Sequence, residues 1–327
     1  MRIIYFLIPL IFIAMACGIL DSSKDQDKLP GKIVFSAEDS TGTEQIYTMY
    51  ADGSGINKLT DFLPSELAIN PSWRPDGKKI IFSSWKFGTS AGPALWVMDA
   101  DGSNQHVLYD PEPDNIHVPP IAGKYAQWSP DGRKVVYELC VNCQLMTNLD
   151  ILIFDTVSKD IKQLTTPPFS EGRPDWNPVD DRIVFVSDRD YKDADSLRFR
   201  DDLYVMDAEG NNVNRITQTG YAGQPLWNPN GEAITFYSSS SHSVYQINLQ
   251  SDSISLLKKG LSDTIHLLPN AWGPDGRYLL ITAFDYEYPR TNTLYILDLE
   301  DNELQSIYSR SSYDNANRII HGADWNY

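Results

Sequence analysis

Five times in this chain a tryptophan stands directly before a tight turn that leads into a β-branched run. The clearest copies are Asn70-Pro71-Ser72-Trp73-Arg74-Pro75-Asp76-Gly77-Lys78-Lys79-Ile80-Ile81-Phe82 and Tyr125-Ala126-Gln127-Trp128-Ser129-Pro130-Asp131-Gly132-Arg133-Lys134-Val135-Val136-Tyr137. Looser copies centre on Trp176, Trp227 and Trp272, and a last fragment runs Ala323-Asp324-Trp325-Asn326-Tyr327. The repeated tryptophans lie 45 to 55 residues apart. A period of that length with one hairpin per unit restricts the fold to a solenoid, a propeller or an array.

The local chemistry of the unit is that of a β-hairpin. Proline fixes φ for the first central turn position, Asp or Asn suits its neighbour, and Gly accepts positive φ. The run that follows has strand composition. The tryptophan supplies a broad apolar plate that one unit can press on the next. A second pattern completes the unit: Leu95-Trp96-Val97-Met98 leads into the turn Asp99-Ala100-Asp101-Gly102, and Leu203-Tyr204-Val205-Met206 into Asp207-Ala208-Glu209-Gly210. Ile46-Tyr47-Thr48-Met49 does the same before Asp52-Gly53. Each unit therefore holds four strands.

These residues resemble the repeats of the TolB-type β-propeller family, across essentially all of residues 30–327. The resemblance implies an all-β fold, a six-bladed β-propeller of four-stranded blades. Pro30-Gly31-Lys32-Ile33-Val34-Phe35-Ser36 has no Trp strand before it, and Trp325 has no strand after it. Joined, they make one blade, so the first blade is closed by the C-terminal strand and no sheet edge is left open at the seam.

The chain has 327 residues, 42% of them hydrophobic, enough to build one large β domain. Its net charge of −17 is spread over many loops, and a nucleic-acid surface, which needs a basic stripe, is excluded. Residues 1–17 are of a different character. Arg2 precedes an apolar run that ends in Ala14-Met15-Ala16-Cys17, the pattern of a secretory signal. That ending resembles a bacterial lipoprotein signal, which implies acylation of Cys17; the alternative is an uncleaved membrane anchor. Residues 18–29 read as a short polar tether, and 30–327 as the propeller. Both readings export the domain, the first as a bacterial membrane lipoprotein facing the periplasm or the cell surface. In that compartment Cys140 and Cys143 read as a local disulfide, with free thiols or a reactive pair as alternatives.

Function is sought where the units differ. Turns within the hairpins repeat, whereas the connections between second and third strands and those between blades vary, and in a propeller both variable sets emerge on one face. Loops on a rigid scaffold are the usual carriers of function. Positions two to four residues before each tryptophan, at the channel mouth, include Asn70, Lys124, Tyr125, Arg173, Gln224 and His321. Lys124 and Arg173 would attract a carboxylate, such as a peptide C-terminus or a uronic acid, unless they pair with Glu171 and Asp175. Outer candidates are the connections Ser187 to Asp202 and Phe284 to Asn292.

His117, His242, His266 and His321 fall in connections on the same face. A related family, the oligogalacturonate lyases, holds a divalent metal on channel histidines, and by analogy these four are the candidate ligands of one metal ion. There is no Gly-x-Ser-x-Gly elbow and no His-Glu-x-x-His pair. The Asp99 and Asp207 segments lack the late bidentate Glu of a calcium loop and read as hairpin turns. Ser187-Asp188-Arg189-Asp190 reads as a salt-bridged turn.

The leading expectation is a non-catalytic, lipid-anchored, monomeric propeller without cofactor. It would bind a protein, peptide or glycan of the cell envelope through its variable face. The TolB resemblance implies docking of other envelope proteins or capture of an extended peptide in the channel. The alternative is a metal-dependent propeller enzyme acting on a polysaccharide.

Overall fold

Each tryptophan unit folds into one antiparallel four-stranded sheet, and six such sheets stand in a ring in the computed structural model of the chain. The structure describes residues 29–85, 94–109, 124–140, 149–166, 168–191, 200–285, 291–311, 320 and 322–326. Blade 1 is built of β1 (Lys32–Glu38), β2 (Glu44–Tyr50) and β3 (Asn57–Lys58). Blade 2 follows as β4 (Leu67–Trp73), β5 (Lys79–Trp85), β6 (Ala94–Asp99) and β7 (His106–Tyr109). Blade 3 holds β8 (Lys124–Trp128), β9 (Lys134–Leu139), β10 (Asp150–Asp155) and β11 (Ile161–Gln163). Blade 4 has β12 (Glu171–Trp176), β13 (Arg182–Ser187), β14 (Asp202–Asp207) and β15 (Asn214–Arg215). In blade 5 the strands are β16 (Ala222–Trp227), β17 (Ala233–Ser238), β18 (Ser243–Asn248) and β19 (Ser253–Lys258). Blade 6 contains β20 (Ile265–Trp272), β21 (Tyr278–Asp285), β22 (Thr291–Asp298) and β23 (Leu304–Ser311).

The last strand, β24 (Ala323–Asn326), returns to blade 1 and pairs with β1, Ile33 opposite Trp325 and Phe35 opposite Ala323. The first blade is thus closed from the C-terminal side, as the split repeat requires. The Trp325 indole also donates to Pro30 O at 3.0 Å, which ties the seam beyond the ladder.

The six repeated tryptophans are the wedges between blades. Six apolar clusters hold the ring together, and each contains one of them. Trp128 packs with Ile81, Leu95 and Val97 of blade 2 as well as with Val135 and Tyr137 of its own blade. Trp325 joins Leu280 and Ile296 of blade 6 to Ile33 and Phe35 of blade 1. Burial of one large apolar side chain contributes about 1.5–3 kcal/mol, so six such plates form a substantial part of the inter-blade stabilisation. Trp85, outside the repeat, is 45% exposed at the end of β5.

The hairpin turns follow the expected chemistry. Gly77 N donates to Arg74 O at 2.8 Å with Gly77 at φ 67°, and Gly132 repeats this on Ser129 at φ 66°. Asp76, Asp131 and Asp275 each accept the backbone N–H two residues on, at 2.9–3.1 Å. The Asp99 and Asp207 segments are likewise hairpin turns, closed by Asp99 N to Ser103 O and Asp207 N to Asn211 O. Cys140 is disulfide-bonded; Cys143 lies outside the described residues, as do residues 1–28 with Cys17 and the signal and tether expected there.

Candidate functional site

The innermost strands are not regular ladders. In blade 2, Ile69 pairs with Ser83 and Ser72 with Ile81, so Asn70 and Pro71 together face the single residue Phe82. The same two-against-one bulge occurs at Tyr125-Ala126, Arg173-Pro174 and Gln224-Pro225. The first residue of each bulge is left-handed: Asn70 at φ 51°, Tyr125 at 51°, Arg173 at 52° and Gln224 at 51°. Gly322, the matching position just before β24, has φ 82°. In blade 6 the position is Pro269, whose ring forbids positive φ, and there the extra residue is Asn270. A left-handed conformation costs a non-glycine residue roughly 1–2 kcal/mol. A bulge of this type re-aims a side chain out of the ladder direction.

Here the re-aimed side chains converge. Asn70, Tyr125, Arg173, Gln224 and Asn270 line one cavity of about 240 Å³ on the ring axis. A second cavity of about 230 Å³ adjoins it toward the variable loops, walled by Asp201, Tyr221, Tyr237, Ser239 and His266. Arg173, Gln224 and Leu268 line both. Four of the six residues expected at the mouth are thus brought to one place. Lys124 is placed by its backbone at the start of β8, opposite Glu138, and His321 lies outside the described residues.

Arg173 pairs with neither acid expected to neutralise it. Glu171 is fully buried and takes Arg189 at 3.1 Å, within the salt-bridged turn expected at Ser187 to Asp190. The Asp175 carboxylate instead accepts the Trp227 backbone N–H at 2.7 Å. The Arg173 guanidinium lies over the Tyr125 ring, 4.8 Å from its centroid, and forms no ion pair among the described residues. Its backbone N–H donates to buried Glu138 Oε2 at 2.8 Å. Glu138 also comes close to Gly172, where a Cβ would sit 2.6 Å from Oε2.

The other ionisable groups around the cavities lean toward neutrality. Burial, and next the Asp188 charge, pushes the Asp201 carboxyl up, opposed by Arg173. Asp175 is pushed up to about 7, chiefly by burial. Asp324 rises to about 6 for the same reason. Burial and the neighbouring His242 bring His266 down to about 4, so its ring is neutral at pH 7. His266 Nδ1 shares a short hydrogen bond with the Tyr237 hydroxyl, and its ring stacks on His242 at 4.0 Å.

The structure thus brings His242 and His266 together, whereas His117 lies outside the described residues with His321. Among the described residues no three His, Cys, Asp or Glu side chains are grouped to hold a metal ion. Asp201, Tyr237 and Glu138 escaped the sequence reading because their signals are tertiary. Glu138 is an acid at the end of an apolar strand, and nothing local says that it will meet the backbone of the next blade.

Six four-stranded antiparallel sheets around a lined axial cavity define a six-bladed β-propeller. Residues 120–311, more than half of the chain, match the model of the TolB beta propeller domain, and the chain belongs to that family. The Tol-Pal system protein TolB of Francisella tularensis subsp. mediasiatica is 23% identical over 283 residues, covering 84% of this chain and 58% of that protein. TolB from Acinetobacter baumannii superposes with a TM-score of 0.68 at 18% identity, over 91% of this chain and 67% of that one. An oligogalacturonate lyase from Vibrio parahaemolyticus gives 0.58 at 16% identity, over 88% and 78%. At these identities the structural likenesses show the shared fold alone. The chain spans less than two thirds of the length of the curated relatives it matches.

Proposed function

We propose that this protein is an exported, lipid-anchored binding propeller that captures an extended segment of a cell-envelope protein in its channel mouth. One observation carries the reading. Four non-glycine residues with different side chains, Asn70, Tyr125, Arg173 and Gln224, adopt the left-handed conformation at the same position of four blades and line one cavity. The bulge of the repeat re-aims each of these side chains out of its ladder. A framework needs sameness, whereas a site for an asymmetric ligand needs six similar frames with different side chains. The cavities are too narrow for a folded domain and suit an extended chain or a short oligomer.

The family supports a binding role, and the Francisella relative is by its name a component of the Tol-Pal system. Export rests on the basic, apolar and small-residue order of residues 1–17, and anchoring on Cys17 as the acylated residue. A tether over residues 18–29 then holds a monomeric propeller of residues 30–327 within about 40 Å of the bilayer.

The test is site-specific photocrosslinking in envelopes, with the photoreactive residue at Gln224 or, on the opposite face, at Lys78. A discrete protein adduct from Gln224 and none from Lys78 is expected. Adducts from Lys78 alone would move the site to the hairpin-turn face. Loss of binding only after glycosidase treatment would give the mouth to a glycan.

A further inference from the structure

We infer that the channel mouth reads a peptide end: Arg173 receives the C-terminal carboxylate, and Asn70 and Gln224 pair with the peptide groups that precede it. This rests on the peptide-capture reading above and assigns the direction of the captured chain.

Arg173 sits where the two cavities meet and contributes to the wall of both. Stacking on Tyr125 at 4.8 Å and the bond from its backbone to Glu138 fix its stem, while its guanidinium makes no ion pair among the described residues. A planar fork held in this way matches a carboxylate bidentately, which an ammonium on a flexible stem does not. The nearby acids do not replace the missing anion. Asp175 is engaged by Trp227, and Asp201, which shares a cavity wall with Arg173, forms no ion pair with it. An incoming ammonium, such as a peptide N-terminus, would meet the Arg173 charge instead of a partner.

The amides supply the second half of the argument. Asn70 is only 8% exposed, faces the cavity, and its side chain hydrogen-bonds to no described residue. The Gln224 side chain is equally without such a bond. Both side chains line the cavity, and each offers both a donor and an acceptor, the complement of a peptide group. The apolar part of the wall between them includes Pro71, Pro174, Pro225 and Leu226, beside the polar Gln127, Asn270 and Thr282. Proline lacks an N–H, so this wall does not compete for the ligand's hydrogen bonds and offers an apolar slot for the terminal side chain.

The probe is a pool of N-terminally fluorescein-labelled hexapeptides of mixed sequence ending in leucine, made both as free acid and as C-terminal amide. Binding to the full chain is read by fluorescence anisotropy. The free acid is expected to bind at least about tenfold more tightly than the amide, a difference of about 1.4 kcal/mol. Arg173→Gln is expected to weaken the acid to the level of the amide and to leave the amide unchanged; Arg173→Lys, which keeps charge but not the fork, falls between. Circular dichroism and the melting curve confirm that the variants fold. Equal binding of acid and amide, insensitive to Arg173→Gln, overturns recognition of the end and leaves capture of an internal segment standing. If neither form binds up to about 1 mM, a limit of roughly −4 kcal/mol, both readings fall. If digalacturonate alone binds, and depends on Arg173, the site belongs to an acidic sugar.

Discussion

The carboxylate of Asp324, on the last strand, accepts the backbone N–H of Trp73 at 2.7 Å and the Ser72 hydroxyl at 3.1 Å. The strand that closes blade 1 therefore also ties that blade to blade 2. Asp175 repeats the device on the Trp227 N–H, between blades 4 and 5. These bonds cross from one innermost strand to the next, beneath the mouth residues. The ring and the site thus share a frame.

Removing residues 323–327 is expected to abolish cooperative thermal unfolding or to lower its midpoint steeply. The deletion takes away the Trp325 wedge, the bond from its indole to Pro30 and the Asp324–Trp73 tie. Calorimetry of the truncated chain checks this, and an unchanged melt would rule out closure by β24.

Tryptophan substitutions should separate by position. Trp128→Ala empties the wedge between blades 2 and 3 and should cost about 3–5 kcal/mol in chemical denaturation. Trp85→Ala removes a side chain that is nearly half exposed and should cost under about 1 kcal/mol. Equal losses at the two sites would contradict the packing scheme.

Stability should fall as pH rises through the range in which the enclosed acids titrate. Asp175 and Asp324 have folded-state values near 7 and 6 against an ordinary 3.8, raised mainly by burial. The native state therefore binds protons more tightly than the unfolded chain. The stabilisation from these protons is full below about pH 4 and is lost as pH rises toward 7. Asp175→Asn keeps an acceptor for Trp227 without the buried charge. It is expected to raise the melting temperature at pH 8, by the equivalent of about 1 kcal/mol, and to gain nothing at pH 4. A gain of equal size at both values would mean that proton binding at Asp175 is not the cause.

Location depends on Cys17 in the proposed anchoring. Cys17→Ser should abolish metabolic labelling by a palmitate analogue and release the protein from the lipoprotein fraction, since stable anchoring needs the acyl chains of a modified Cys. Labelling that persists in the variant would remove the lipoprotein reading.

The ring was legible in the sequence because its determinants are local and repeated. A Trp, a Pro-Asp-Gly turn and a β-branched run each carry their own geometry, and their period counts the blades. The left-handed bulges at Asn70, Tyr125, Arg173 and Gln224 were not legible, since Tyr, Arg and Gln have no preference for positive φ. The repeated framework imposes that conformation on them. The same limit hid a buried motif at the variable end of three blades, where a Thr hydroxyl accepts a backbone N–H. Thr60 does so from Ile46, Thr165 from Ile151 and Thr217 from Leu203, each at 2.9 Å. The Gln45, Asp150 and Asp202 side chains behind them lie 15 residues away, beyond any local pattern. Arg173 lines both cavities. Sequence adjacency could not show that Glu171 of β12 turns to Arg189 of its own blade while Asp175 turns to Trp227 of the next.

The left-handed mouth positions have a consequence for how such a protein diversifies. Because the backbone bulge is held by the blade and not by the side chain it carries, Asn, Tyr, Arg and Gln all occupy it in one molecule, with Gly322 left-handed at the matching place. A codon change at any one of these positions rewrites a single point of the rim and leaves strands, wedges and inter-blade ties untouched. Blade 6, where Pro269 moves the extra residue to Asn270, is the exception in this alphabet. Descendants of one ancestral ring could therefore acquire new ligands by drift at the rim, with no intermediate that has to abandon its fold.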